Sequence, residues 1–192
     1  NTGGTITGGN VSVKSTEGSI INETAALTTG DDKYRDTVIG KTGTISSTGD
    51  LDLDAKKNIA VTGAQISAGG NASLKAGDAI TFDTIEDKKA RTTSSSQSDG
   101  WNSTVTTTTV ATTNQIKSGL TVGGNLQMQA KNDVTLAGTD VKVGGDADIS
   151  STDGNINVLA RANSSKTTTN TIQTGAGVGG GVVGKITTDK VE

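Results

Sequence analysis

The residues best placed to do chemistry are three aspartates two apart, Asp50, Asp52 and Asp54. In a strand this spacing puts all three carboxylates on one face. Paired carboxylates are what glycoside hydrolysis uses. A β-helical polysaccharide lyase would instead use an acidic cluster to hold Ca²⁺, with a basic residue opposite. Both chemistries favour aromatic platforms for the sugar, and the chain has one Trp, one Tyr and one Phe. In the register derived below, Asp54 falls between Lys14 and Lys75, and Asp52 between Ser12 and Ser73. That is a charge-compensated ladder on a solvated face, of the kind worth little per pair.

Other patterns fall short of a site. The runs Gly8-Gly9-Asn10-Val11 and Gly144-Gly145-Asp146-Ala147 lack the following Gly that a calcium-binding nonapeptide solenoid needs. The heading Asn or Asp then reads as a turn former or a stacked polar ladder. The glycine-rich stretch from Gly175 to Gly184 is followed by Lys185-Ile186, not the Lys-Ser/Thr of a phosphate loop. It reads as a hairpin tip or an edge strand. The run from Thr104 to Thr109 has ice-binding composition, but it occurs in one insertion and not at one position of every coil. Five Asn-x-Ser/Thr triplets, at Asn10, Asn22, Asn71, Asn102 and Asn163, are what chance provides in so Asn-, Ser- and Thr-rich a chain. Trp101 is the one candidate for partner contact. An exposed aromatic beside a turn can anchor a partner, or it can brace its own hairpin. No catalytic, cofactor-binding or metal-binding residue is assigned, and no cofactor is expected.

Composition limits what can hold such residues in place. The 192 residues include 27 Gly and no Pro, Cys or His, and only 30% are hydrophobic. A compact globule with so few apolar groups would not offset its chain entropy. A narrow repeating core of small and β-branched residues needs less apolar volume, so the balance points to all-β. Without Cys there is neither a disulfide frame nor a thiolate metal site, and an oxidising compartment is tolerated. The net charge of −3 comes with no basic patch or aromatic platform for nucleic acid. No apolar run is long enough for a membrane span.

The chain repeats. Gly9-Asn10-Val11, Gly49-Asp50-Leu51, Gly70-Asn71-Ala72, Gly124-Asn125-Leu126 and Gly145-Asp146-Ala147 open alike, and Asp50 to Asn71 and Asn125 to Asp146 are both 21 residues. In the unit from Asp50, residues Leu51, Leu53 and Ala55 alternate with polar neighbours. Ile59 and Val61 make a second short strand, and Ile66 with Ala68 a third. The unit from Asn125 repeats this plan. Three short strands per 21 residues, each with period-2 alternation, describe one coil of a parallel β-helix. Equivalent residues stack about 4.8 Å apart, giving ladders such as Val13, Leu53, Leu74, Met128 and Ile149. The expected fold is a right-handed parallel β-helix (β-solenoid) of about five coils, with handedness taken from the rule for parallel crossovers.

Three intervals break the count at one place, the corner before the third strand, and on alternate coils. The insertions span about 23–42, 84–118 and 161–184. Asp99-Gly100 is a two-residue hairpin signal between Thr- and Ser-rich arms, roughly Arg91 to Gln97 and Trp101 to Ile116. A hairpin is two strands wide, the advance of two coils, so successive hairpins are expected to pair edge to edge into an extra sheet. Gly3 to Thr7 reads as the third strand of a preceding coil, and Lys185-Ile186-Thr187 as the resumption of a third strand after the last insertion. Neither end looks capped, so 1–192 is read as one solenoid fragment of a longer protein.

The tandem Gly-Gly-Asn/Asp openings, the Asp-Leu-Asp-Leu-Asp-Ala run at 50–55 and the Val-Ile-Gly-Lys-Thr-Gly run at 38–43 resemble filamentous haemagglutinin repeats, as do the Ser/Thr-rich insertions. These belong to bacterial two-partner-secretion exoproteins, and the likeness covers essentially the whole chain. The alternating insertions look most like the distal repeats of contact-dependent growth inhibition exoproteins. The resemblance implies export through an outer-membrane two-partner-secretion transporter and a secreted, cell-surface location, with a periplasmic stage before delivery. It implies contact with a target or host cell surface, for toxin delivery or for adhesion. It supplies no catalytic residue. The segment alone is expected to be monomeric.

Overall fold

The computed structural model describes residues 1–175 in full and 182–187 as backbone. The chain separates into two compact units. One comprises Asn1–Leu27, Ile39–Ile85 and Gln115–Ala162, the other Thr28–Val38, Glu86–Asn114 and the chain from Asn163 on.

The first unit is a parallel β-helix. Its first sheet stacks β2 (Val11–Ser15), β7 (Leu51–Ala55), β10 (Ala72–Ala76), β15 (Leu126–Ala130) and β18 (Ala147–Ser151). The second stacks β3 (Ile20–Glu23), β8 (Ile59–Thr62), β11 (Ile80–Asp83), β16 (Val134–Ala137) and β19 (Ile156–Leu159). The third stacks β1 (Thr5–Gly8), β6 (Thr44–Ser47), β9 (Gln65–Ala68), β14 (Gly119–Val122) and β17 (Asp140–Val143). The register is the one the repeat predicts: Val13, Leu53, Leu74, Met128 and Ile149 are successive partners in parallel strands. The segment after Gly4 is indeed a third strand, Ile6 pairing with Ile45.

Alternation explains the core. Inward residues of the central coils, including Leu53, Ile59, Leu74, Ile80, Phe82, Met128 and Val134, are fully buried. Each such side chain contributes about 1.5–3 kcal/mol by leaving water. The Gly-Asn/Asp opening has a mechanical reason. The backbone N–H of Asp50 donates to Asn10 Oδ1 (2.9 Å), that of Asn71 to Asp50 Oδ1 (2.8 Å), that of Asn125 to Asn71 Oδ1 (2.9 Å) and that of Asp146 to Asn125 Oδ1 (2.9 Å). The preceding glycines lie against these oxygens. A Cβ at Gly49, Gly70, Gly124 or Gly145 would overlap the Oδ1 of the coil before. Heading residues are therefore rungs of a polar ladder, and the glycine before each lets the coils close.

Corners without an insertion carry a different glycine. Gly63 and Gly138 have φ of +57° and +53°, a conformation that side chains disfavour. A Cβ at Gly63 would meet Ile85, and one at Gly138 would meet Thr84 and Arg161.

The insertions form the hairpins β4 (Ala26–Gly30) with β5 (Arg35–Ile39), β12 (Ile85–Ser98) with β13 (Asn102–Ile116), and β20 (Ser164–Gly175) with β21 (Val182–Thr187). All six strands belong to one sheet, in the order β21-β20-β13-β12-β5-β4. The hairpins join edge to edge: β5 meets β12 at Asp36–Lys89, and β13 meets β20 along its length from Asn102–Gly175 to Thr113–Ser164.

Three details correct the sequence reading. Lys185-Ile186-Thr187 do not resume a solenoid strand. They lie in β21, antiparallel to β20, with Ile186 opposite Asn170. The run from Val182 to Thr187 continues the hairpin along the edge of β20. The central turn also sits one residue later than Asp99-Gly100. The Asp99 N–H bonds the Asn102 carbonyl (3.1 Å), which makes Gly100-Trp101 the two-residue loop. Asp99 holds it by accepting the N–H of Asn102 (2.7 Å) and of Trp101 (3.2 Å), an Asx turn, while Gly100 takes a φ of +88°. Lastly, β12 starts at Ile85 and not near Arg91, and it already pairs with the edge of β5 before Arg91, Lys89 with Asp36 and Ala90 with Arg35. Of the glycine-rich stretch, 176–181 lie outside the described residues.

Candidate functional site

Two surfaces carry the residues singled out above. The first is the outer face of the first solenoid sheet. A groove of about 690 Å³ runs across all five coils there, bordered by the Asn10, Asp50, Asn71, Asn125 and Asp146 ladder. In the groove one oxygen of Asp50 accepts the Asn71 N–H, and further along the same strand, outside the groove, Asp54 Oδ2 accepts from Lys14 Nζ at 2.7 Å. The Lys14 hydrogen bond and charge hold the Asp54 carboxyl below the usual carboxylate range and raise the Lys14 ammonium in turn. Asp52 pairs in register with Ser12 and Ser73, and Asp54 with Lys14 and Lys75. Asp50 is thus a rung of the heading ladder, and Asp54 is paired with a cation of the adjacent coil. Among the described residues no group of three acidic, His or Cys side chains could hold a metal ion.

The second surface is the hairpin sheet. Trp101 stands in the turn between β12 and β13 and is 77% exposed. The sequence reading missed its counterpart. Tyr34, 57% exposed, stands at the turn between β4 and β5. There Asp31 Oδ1 accepts the N–H of Lys33 (2.8 Å) and of Tyr34 (2.9 Å), as Asp99 does around Trp101. These N–H bonds, Tyr34 first at one turn and Asn102 first at the other, hold both Asp carboxyls below their usual range. The signal was present in sequence as an Asp followed within three residues by an aromatic, Asp31 to Tyr34 and Asp99 to Trp101. Two tips of one sheet therefore present an aromatic ring on a carboxylate-braced turn.

The same sheet has a hollow of about 350 Å³ edged by Arg35, Lys88, Lys89 and Lys166. Three of these cations have local counter-charges: Arg35 pairs with Asp32, Lys88 with Glu86 (2.5 Å) and Lys89 with Asp87 (3.4 Å). Elsewhere the sheet is bound by hydroxyls, with Oγ1 atoms of Thr92 and Thr109 at 2.8 Å and of Thr108 and Thr169 at 3.4 Å.

Comparison with known proteins places these stacked coils and hairpins in a family. The hemagglutinin repeat model matches residues 35–111 and 100–190. The chain belongs to the hemagglutinin repeat family. A curated relative, the tRNA nuclease CdiA of Escherichia coli (strain STEC_O31), is 31% identical over 147 residues, covering 73% of this chain. The chain spans 4% of that relative's length. No solved structure matches. The hemagglutinin repeat is a structural repeat of large two-partner-secreted proteins, found in secreted and cell-surface exoproteins. No helix among the described residues is long and apolar enough to cross a membrane.

Proposed function

We propose that this hemagglutinin repeat segment serves as part of the distal repeat region of a contact-dependent growth inhibition exoprotein, where it presents or helps deliver a C-terminal toxin to a neighbouring cell. The observation that carries this reading is the match to a protein named as a tRNA nuclease, spanning most of this chain but only 4% of that protein. A segment so small, built of stacked coils, suits a mechanical role and not the nuclease step, and we assign it no catalytic residue, metal or cofactor. The parent would leave through its outer-membrane transporter and act at the surface of the target cell, with a periplasmic stage on delivery.

The second reading is a filamentous adhesin for host cells, favoured by the exposed ring of Trp101 on its braced tip. Aromatic anchors of this kind carry a large share of binding energy at interfaces.

The test is a parent exoprotein lacking two whole coils with the hairpin they carry, Gly49 to Gly123, so that Thr48 joins Gly124 in phase with the repeat. The deletion lets β2 stack on β15, so Val13 meets Met128 and the register survives. Unchanged surface display and attachment with surviving target cells supports toxin delivery. Loss of attachment, reproduced by Trp101→Ala alone, supports the adhesin. Full killing and full attachment would refute both and leave a passive spacer.

A further inference from the structure

The strands of the hairpin sheet are unequal in length. β12 runs to Ser98, whereas its neighbour β5 spans only Arg35–Ile39. The tip of the shorter hairpin closes against β12 at Thr92, where the Tyr34 hydroxyl donates to the Thr92 carbonyl (3.1 Å) and Thr92 Oγ1 donates to the Lys33 carbonyl (3.0 Å). Past that point β12 pairs on one side only, with β13. Among the described residues no strand lies against the outer edge of Thr93–Ser98, and all six residues are exposed.

The phase of the ladder says which backbone groups are open. Because the Asp99 N–H bonds Asn102, odd-numbered residues of this arm face β13. Even-numbered ones face outward, as the Thr92 carbonyl and the Lys88 N–H (3.0 Å to Thr37 Oγ1) confirm. Ser94, Ser96 and Ser98 therefore hold out three N–H and three carbonyl groups in strand geometry. Natural edges of this kind are blunted by Lys, Pro or a bulge. The run Thr-Ser-Ser-Ser-Gln-Ser has none of these and carries no charge.

We propose that the outer edge of Thr93–Ser98 is a strand-pairing site for the same edge of a second copy of this chain, joined antiparallel about a two-fold axis through Ser96. In that register Ser94 lies opposite Ser98 of the second copy. No like charges meet, and the edge is its own complement, as a two-fold interface requires. The pairing extends an interface the chain already uses, since β13 and β20 join antiparallel with Thr facing Thr. A joint this small is weak for one unit and gains strength when several units act in tandem. It departs from the monomer expected on sequence, which gave no sign that β12 outruns β5.

Sedimentation equilibrium of the 192-residue chain tests this, with an apparent mass rising with concentration from 19.2 kDa towards twice that value. Ser96→Pro removes an outward N–H at a position where an edge strand tolerates proline, and weakens association by about tenfold or more with an unchanged circular dichroism spectrum. Ser96→Ala leaves it unchanged, since the backbone makes the joint. The chain has no Cys, so Ser96→Cys places two thiols on the axis within disulfide reach. It should oxidise to a linked dimer far faster than Thr16→Cys on a solenoid turn. A monomer at every concentration, association that survives Ser96→Pro, or equal oxidation rates at 96 and 16 would each overturn the proposal.

Discussion

Leu74 and Thr108 both sit mid-strand in a ladder of like residues, yet their ladders do different work. Leu74 is fully buried between Leu53 and Met128 in the solenoid. Thr108 lies half-buried opposite Thr169 in the hairpin sheet, hydroxyl to hydroxyl. The solenoid closes its coils on themselves, so one face of every strand becomes core. The described residues of the hairpin sheet are mostly half-buried or exposed, and its strands cohere through backbone ladders and hydroxyl pairs. The stability of the first therefore resides in side-chain burial, and that of the second in backbone pairing. A carrier must resist unfolding, whereas a surface that meets partners needs accessible edges and tips.

Substitutions can break this contrast or sharpen it. The largest effect belongs to Leu74→Ala, which should lower unfolding stability by about 2–5 kcal/mol in a denaturant titration. Gly63→Ala comes next, at roughly 1–3 kcal/mol, because the new side chain must adopt positive φ and meet Ile85. Thermal melts of Gly63→Ala and Gly138→Ala should agree, the two corners being equivalent.

A smaller, pH-dependent effect is set by Asp83, whose carboxylate is gripped by Arg161 through Nε–Oδ1 (2.8 Å) and Nη2–Oδ2 (2.5 Å). The Arg161 hydrogen bonds hold this carboxyl below its ordinary range. Its stabilisation is thus complete above the unfolded-state value of about 4 and fades as the pH falls through the lower folded-state value. Asp83→Asn should lose at most about 1 kcal/mol at pH 7, the pair being partly exposed. Melts of variant and parent should converge once the pH has fallen below the folded-state value. A gap that widens on acidification would mean that the pair does not hold this corner. The smallest effect is that of Thr108→Ala, within about 0.5 kcal/mol by the same titration. If it rivalled Leu74→Ala, the two ladders would not differ as argued.

Sequence carried the solenoid unusually far, because a repeat reports its own register. Aligning Asp50 with Asn71 and with Asn125 already places Leu53 on Leu74 and Met128, and Asp54 on Lys75. The hairpins were legible as insertions, since each interrupts that alignment at the same corner. Their inner details were not. In β12, β13 and β20 most residues are polar, Ser and Thr above all, so no apolar alternation fixes where a strand begins or which residues turn. That is why the loop proved to be Gly100-Trp101, why β12 began at Ile85, and why Val182–Thr187 joined the hairpin sheet. Tyr34 went unremarked for a related reason. Its turn holds no Asn-Gly or Asp-Gly pair, and only the bonds from Asp31 reveal its likeness to the turn around Trp101.

Native-state hydrogen exchange, run where the chain is monomeric, tests the contrast most directly. Amides of β7, β10 and β15 should exchange only through global unfolding, all reporting one common free energy, while those of Thr93–Ser98 exchange orders of magnitude faster through local opening. Equal protection in both regions, or a hairpin sheet that outlasts the solenoid, would contradict the division into a rigid carrier and an accessible sheet.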